Sequence, residues 1–274
     1  MQLLLHPEAQ TPDLSSYDLI LLNTSGGKDS QAMIDHVTRL ARAAGVSERV
    51  IAVHCDLGRV EWRGTRELAE LQARHYGIRF EVVRKPGGDL LEYIEHRGKW
   101  PSSRARYCTS DFKRAPVRVL MTRLVAQRWS KGGRPIRILN CMGLRAEESP
   151  ARAKRAAFSY DARASNKTKR HVDEWLPIHD WTEHDVWTAI RKAGVPHHWA
   201  YDLGMPRLSC VFCIFAPRPA LLIAAQHNPD LLRDYVAVEK GIGHTFRTNQ
   251  SLVEIQTAAL RGDLVGPILW AQCA

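Results

Sequence analysis

Hydrophobic and polar positions in the first half of the chain follow two spacings in turn. Short apolar runs with β-branched residues are followed by longer segments in which apolar residues recur at helical spacing. The short runs predict strands and the longer segments predict helices. The strands are expected at 18–24, 50–54, 79–83 and 136–141, and the helices near 29–44, 63–76, 90–95 and 111–129. This alternation predicts an α/β fold, with a mostly parallel sheet and helices on both faces.

The second half of the chain has a different pattern. Residues 151–170 are polar and carry seven Lys or Arg against one Asp, so we expect a basic loop there. Helical spacing returns after Thr182, which can cap a helix that ends near Gly194. Further helices are expected near 219–227, 230–239 and 251–261. We therefore expect an α/β domain over 1–150 and, packed on it, a second part over 151–274 with a C-terminal helical extension.

Charge narrows the class of partner. The net charge is +10 and the pI is about 9.5, which favours an anionic partner such as nucleic acid or nucleotide phosphates; a merely soluble basic surface is the alternative. No apolar run approaches the ~18 residues of a membrane span. The first residues lack the basic flank of a signal peptide. We expect a cytoplasmic protein with no membrane partner.

A phosphate-binding loop is predicted where the first strand meets the first helix, at the sequence SGGKDS. Backbone N–H groups and the helix dipole at such a corner favour an anion, and glycines let it approach closely. Two serines add hydroxyl donors and Lys28 adds a cation. Asp29 would repel phosphate alone, so we expect magnesium to bridge its carboxylate to the phosphates. The candidate ligands are Ser25, Gly26, Gly27, Lys28, Asp29 and Ser30.

This loop resembles the PP-loop of the ATP pyrophosphatases, whereas the P-loop and dinucleotide-binding patterns are absent. Three further segments resemble the phosphoadenylylsulfate reductase branch of that superfamily: VHCDLGRVEW at 53–62, RYCTSDFKRAPV at 106–117 and GLRAEES at 143–149. With PIHDWTEHDVW and YDLGMPRLSCVFC, the resemblance extends over residues 18 to about 215. It implies an adenine nucleotide alpha-hydrolase-like fold. It also implies cleavage of ATP to AMP and pyrophosphate, with AMP transferred to a substrate oxygen.

The resemblance adds three residues to the nucleotide site. Arg145 is expected to hold a phosphate, with an ion pair to Glu147 or Glu148 as the alternative. Lys113 is expected to reach the nucleotide or the substrate, unless it lies on a solvated helix face. Asp56 is expected to position ATP or metal, with a turn aspartate as the alternative.

The phosphoadenylylsulfate reductase branch contains enzymes that catalyse different reactions. Its sulfonucleotide reductases have a degenerate loop and a C-terminal cysteine motif, whereas here the loop is complete and Cys273 matches that motif poorly. The sequence therefore resembles the DNA phosphorothioation ATP pyrophosphatases first and the tRNA thiolation enzymes second. A nucleic-acid substrate and a cysteine desulfurase or other sulfur donor are the expected partners. A sulfonucleotide reductase and a non-catalytic nucleotide-sensing protein are the alternatives.

Six cysteines are present, and only Cys210 and Cys213 are close in sequence, as CVFC. Cys108 lies in the segment that resembles a cluster-bearing stretch of the reductases, where the next position is Thr109 instead of a second cysteine. The resemblance implies a 4Fe–4S cluster held by Cys108, Cys210 and Cys213, with an open iron able to hold sulfide. Cys141 is a possible fourth ligand. One alternative is a zinc site in which His54, His197 or His198 completes the cysteine ligands. The other is that the cysteines are plain thiols that bind no metal.

The candidate catalytic residues are Lys28, Asp29, Cys108 and Arg145. Four tryptophans in the second half can stack on a base or pack in a core, and the sequence favours core packing. They are Trp175, Trp181, Trp187 and Trp199.

Overall fold

Six strands form one sheet in the order β3–β2–β1–β4–β6–β5. The computed structural model describes residues 11–130 and 133–262. The strands are β1 (Leu19–Thr24), β2 (Val50–Asp56), β3 (Arg79–Arg84), β4 (Ile136–Met142), β5 (Phe158–Tyr160) and β6 (Arg170–Trp175). β1 pairs in parallel with β2 and β4, β4 pairs in parallel with β6, and only the short β5 is shown antiparallel, against β6. The predicted α/β fold is confirmed.

Helices connect most of these strands, and within the described residues four more follow β6. They are α1 (Lys28–Ala43), α2 (Thr65–His75), α3 (Leu90–Arg97), α4 (Tyr107–Thr109), α5 (Ala115–Ala126), α6 (Pro150–Ala153), α7 (Glu183–Ala193), α8 (Arg218–His227), α9 (Pro229–Ile242) and α10 (Leu252–Leu260). α7 begins after the Thr182 cap and ends at the left-handed Gly194, as the sequence predicts.

Two compact units share the chain, and each has its own apolar core. Of the residues that the structure describes, unit 1 takes those within 1–54, 66–82 and 118–197, and unit 2 takes those within 55–65, 83–117 and 198–274. The core of unit 1 contains Ile20, Leu22, Met33 and Trp175, whereas that of unit 2 is built around aromatic residues such as Trp62. The units are interleaved along the sequence, and none of the five boundaries between them falls at residue 150.

Residues 151–170, which we expected to be a basic loop, contain short helical and strand segments between turns. The segment contains most of α6, all of β5 and the first residue of β6. Ser149 caps α6, and Pro150 occupies its first turn, where a missing N–H costs nothing. β5 then pairs with β6 from Phe158–Trp175 to Tyr160–Asp173.

The predicted helix at 111–129 is interrupted at its start. A π-helical turn at Ser110–Arg114 separates α4 from α5. Pro116 gives a physical reason, because a proline has no N–H to donate and its ring collides with the carbonyl four residues earlier. Such π turns occur often at functional sites, and this one contains Lys113.

No helix in the described ranges is both long and apolar enough to cross a bilayer.

Candidate functional site

The sheet order places two loops of unit 1 side by side. The chain moves from β1 to β2 and β3 on one side, and then crosses to β4 on the other side of β1. In parallel sheets, ligands bind beyond the carboxyl ends of the strands where the order reverses. Here the loop after β1 is SGGKDS, and the loop after β4 carries Arg145. Asn23, near the end of β1, donates to Asn140 Oδ1 at 2.7 Å and to the Cys141 carbonyl at 2.9 Å.

The SGGKDS loop is a tight turn that leads directly into α1. Gly26 has φ of 69°, which favours glycine, and Gly27 is the N-cap of α1. Ser30 closes the turn, because its hydroxyl donates to the Gly27 carbonyl at 2.9 Å and accepts from the Ser25 N–H at 3.2 Å. No side chain caps this helix end. The geometry is that of an anion site at a helix N-terminus.

Arg145 is buried against this loop and joins two carboxylates. Only 4% of its side chain is exposed, and its Nε donates to Asp29 Oδ1 at 2.6 Å. Its Nη1 also pairs with Glu147. Burial alone would lower the pKa of Arg145, but the charges of Asp29 and Glu147 outweigh it and raise the pKa. Arg145 therefore makes the ion pair with Glu147 that was the alternative to phosphate binding. It pairs with Asp29 at the same time.

Gly143 fixes the spacing between the two loops. A Cβ at this position would lie 2.7 Å from the Asp29 carbonyl oxygen and 2.9 Å from the Ser30 nitrogen. Both atoms belong to backbone, which cannot turn aside as a flexible side chain can. Only glycine lets the end of β4 approach the first turn of α1 this closely.

Two predicted nucleotide residues lie in unit 2. Asp56 Oδ1 accepts from the Gly58 N–H at 2.8 Å, which is the turn role that the sequence left open. Lys113 is exposed, and the Cys55 thiol approaches its carbonyl at 3.7 Å. Desolvation lowers the pKa of Lys113, but its interactions with nearby acidic groups, Cys210 first, raise it overall. Lys113 is thus a cation beside thiols, and its contact with a nucleotide stays a prediction.

The CVFC turn places its thiols at the edge of the core of unit 2. Val211 and Phe212 are buried, at 0% and 3% exposure, whereas Cys210 and Cys213 are partly buried. The Val211 N–H donates to the Val60 carbonyl at 2.8 Å, and Arg247 donates to the Cys213 carbonyl at 3.1 Å. Cys108 packs against the same apolar cluster. The predicted three thiols therefore border one core.

Burial disfavours the thiolate forms of two of these cysteines, Cys210 and Cys108. Burial and the neighbouring Cys213 raise the pKa of Cys210 to about 12, and burial also raises that of Cys108. Within 11–130 and 133–262, no three His, Cys, Asp or Glu side chains are arranged as ligands around one metal ion. The donor types suit a cluster, but their arrangement is not that of a loaded site.

Other metal candidates from the sequence lie elsewhere. Cys141 is fully buried in the apolar core of unit 1, and burial raises its pKa far above its usual value. In unit 2, Nδ1 of His198 accepts from the Ala200 N–H at 3.1 Å, which is a local capping role. Cys273 lies outside the described residues. Of the four tryptophans, Trp199 is 40% exposed, while the other three belong to the core of unit 1 or pack against it.

Two residues near the sites were missed in the sequence. Glu183 lies 3.4 Å from Lys28, and its N–H donates to Glu147 at 2.8 Å. Cys55 lies beside Lys113, and burial raises its pKa to about 11. Cys55 could have been found from its position at the end of a predicted strand, where ligand-binding residues occur. Glu183 could not, because an acidic residue in the first turn of a helix is common for helix stability alone.

Proteins of similar sequence include a reductase and two uncharacterised proteins. The adenosine 5'-phosphosulfate reductase of Allochromatium vinosum is 28% identical over 200 residues, covering 72% of this chain and 68% of that protein. A 37.8 kDa protein of Escherichia phage 186 is 28% identical over 152 residues, 56% of this chain. A protein of Methanocaldococcus jannaschii is 28% identical over 225 residues, 81% of this chain. The chain spans only 42% and 48% of these last two.

One solved structure supports the fold. Phosphoadenylyl-sulfate reductase from Candida auris, in a phosphate complex, matches with a TM-score of 0.50 and 16% identity over 72% of this chain and 83% of that one. The U34-tRNA thiolase of Methanococcus maripaludis matches at 0.47 and 15% identity, over 92% and 74%, a score too low to bear on function. The adenine nucleotide alpha-hydrolase-like fold is confirmed. The family model described as the phosphoadenosine phosphosulfate reductase domain matches residues 19–216. The chain therefore belongs to the phosphoadenosine phosphosulfate reductase domain family.

Proposed function

We propose that this protein cleaves ATP between the α and β phosphates and transfers AMP to a nucleic-acid oxygen that sulfur then replaces. DNA phosphorothioate modification is the first candidate process, and tRNA thiolation is the second. The observation that carries the proposal is the complete SGGKDS loop, which opens at an uncapped helix N-terminus and holds a buried lysine. A pyrophosphate group needs such a loop, whereas a sulfonucleotide has no pyrophosphate.

The residues of unit 1 can carry the first half of this reaction. The acceptor oxygen would attack the α-phosphorus, and the bond to the β-phosphate would break to release pyrophosphate. The first turn of α1 and Lys28 would stabilise the charge that develops on the leaving group. Asp29 would hold magnesium on the phosphates once Arg145 leaves the Asp29 carboxylate and binds a phosphate instead.

The thiols of unit 2 are the proposed sulfur-handling part. Cys108, Cys210 and Cys213 would hold a 4Fe–4S cluster, which would supply an iron able to bind sulfide. Lys113 would favour the thiolate forms that a metal requires, because its charge lowers the pKa of Cys210 and Cys108. A cysteine desulfurase or similar donor would supply the sulfur.

A polyanionic acceptor suits the charge of the chain. The excess of Lys and Arg gives +10 overall, and Lys154, Arg163 and Lys167 are exposed around β5. Phe158 and Tyr160 on that strand are also exposed, at 41% and 56%. Cations beside exposed aromatic rings are typical of nucleic-acid surfaces.

A sulfonucleotide reductase is the second candidate, favoured by the similarity to adenosine 5'-phosphosulfate reductases. A thiol would attack the sulfur of an adenylylated sulfate, AMP would leave, and a second thiol would release sulfite. This reaction makes no use of β and γ phosphates.

Product analysis distinguishes the candidates. With magnesium and ATP, we expect AMP and pyrophosphate, and Lys28→Ala should lower the rate by about 100-fold or more. Lys192→Ala removes an exposed lysine of α7 and should leave the rate unchanged. ADP and orthophosphate as the main products would overturn the proposal. Sulfite released from a sulfonucleotide with a thioredoxin-type reductant, without ATP cleavage, would establish the second candidate instead.

A further inference from the structure

Lys28 of the SGGKDS loop is paired with a carboxylate. It is the first residue of α1, and only 3% of its side chain is exposed. A buried ammonium group needs a negative partner. Glu183 Oε1 lies 3.4 Å from its Nζ, and 44% of the Glu183 side chain is exposed. The carboxylate can therefore move into water, whereas the lysine is enclosed.

The main chain of Glu183 is fixed although its side chain is not. Glu183 is the first residue of α7, and its N–H donates to Glu147 Oε2 at 2.8 Å. Thr182 and Asp185 cap the same turn reciprocally. Helix α7 also packs along α1, where Val37 and Val186 share one core. A displaced Glu183 carboxylate would thus leave the helix in place and stay close to Lys28.

The side chains that these ion pairs join carry no excess of positive charge. Asp29, Glu147 and Glu183 carry three negative charges, and Lys28 and Arg145 carry two positive charges, so the group has a net charge of −1. Phosphate oxygens that approach Lys28 meet Glu183 as a competitor for the same ammonium group.

We propose that Glu183 is the internal counter-ion of Lys28, and that phosphates bind the loop by displacing the Glu183 carboxylate from it. The inference rests on the proposed phosphate-binding role of the loop. It gives Glu183 a positioning role with two consequences. Lys28 stays oriented in the empty site, and the returning carboxylate helps pyrophosphate to leave.

The test is calorimetric titration of the full chain with inorganic pyrophosphate and excess magnesium. Glu183→Gln removes the competing charge and should bind pyrophosphate about tenfold more tightly than the wild type. Glu183→Asp keeps the charge and should bind like the wild type. The matched control is Glu48→Gln. Glu48 is an exposed residue of unit 1, and its Oε1 lies 3.2 Å from Arg49 Nε in an ordinary surface ion pair.

A second measurement guards against a folding defect. Without ligand, Glu183→Gln should melt at a lower temperature than the wild type, and saturating pyrophosphate should raise its melting temperature by more than that of the wild type. Equal pyrophosphate affinity in the wild type, Glu183→Gln and Glu48→Gln would overturn the inference while leaving the proposed function standing. No pyrophosphate binding by the wild type would overturn both.

Discussion

At the scale of single residues, the cysteines differ in what surrounds them. Cys108, Cys210 and Cys213 are partly buried at the border of the core of unit 2. Burial raises the pKa of Cys108 and Cys210, and the charge of Lys113 opposes that rise. Cys141 is enclosed by apolar side chains in the core of unit 1, where a thiolate would be strongly disfavoured. Metal ligands must be thiolates, so Cys141 is poorly suited to be the fourth ligand.

Metal analysis of protein purified without oxygen tests this difference. Serine at position 108, 210 or 213 should each remove iron, acid-labile sulfide and the brown colour. Cys141→Ala should retain them, and should lower stability by only about 1 kcal/mol through the small cavity it leaves. Iron lost in Cys141→Ala with the fold intact, or stoichiometric zinc in the wild type, would contradict the prediction.

Residue types in the phosphate loop were readable from the sequence, but their pairing was not. SGGKDS identified Lys28 and Asp29, and GLRAEES identified Arg145. The sequence could not show that Arg145 bridges Asp29 and Glu147, because that depends on the parallel pairing of β1 with β4. Glu183 lies still further along the chain and reaches Lys28 only because α7 packs on α1.

At the scale of elements, the strands predicted from apolar runs are present, whereas β5 and β6 were missed; β6 is the longer of the two. Its sequence, RHVDEW, is rich in charge and does not resemble an interior strand. It lies between β4 and β5 because its charges have partners. Asp173 accepts from the Tyr17 hydroxyl at 2.9 Å, and Glu174 pairs with Arg155. Those partners are distant in sequence, so local pattern could not predict the strand.

The packing of α1 should depend on pH through His36. This side chain lies edge-on to Trp181, with ring centroids 5.3 Å apart. Desolvation, helped by Arg39 and opposed by Asp35, lowers the pKa of His36 from 6.5 to about 4. Between pH 6.5 and about 4 the unfolded chain binds a proton that the folded chain does not, so stability falls as the pH falls.

Urea unfolding at pH 6.5 and pH 4 measures this effect. The wild type should lose about 2 to 3 kcal/mol more of its unfolding free energy over this interval than His36→Gln does. His184→Gln, an exposed histidine of α7, serves as the control and should behave like the wild type. An equal loss in His36→Gln and the wild type would show that His36 does not titrate in this way.

At the scale of the whole molecule, the excess positive charge should appear as salt-dependent binding of nucleic acid. Arg152 and Arg155, which begin the basic segment, are paired with Glu148 and Glu174. Lys154, Arg163 and Lys167 are exposed and better placed for phosphates. If all three contact duplex DNA, replacing them with alanine should reduce the slope of log affinity against log salt by about 2.7.

The control variant removes three other exposed arginines of unit 1, each of which has a carboxylate partner. These are Arg39, Arg74 and Arg123. Its salt slope should stay close to that of the wild type. Alanine at both Phe158 and Tyr160 should weaken binding to single strands without changing the slope, because stacking involves no counterions. Equal slopes in the two triple variants would place the phosphate contacts elsewhere.

The interleaving of the two units also has a consequence for inheritance. The chain passes between unit 1 and unit 2 at five places, after residues 54, 65, 82, 117 and 197. A single recombination event in the gene cannot exchange one unit and leave the other, since each is encoded in three separate stretches. Exchanging one unit whole would therefore take five crossovers, whereas a single crossover inside the gene leaves at least one unit assembled from two parents.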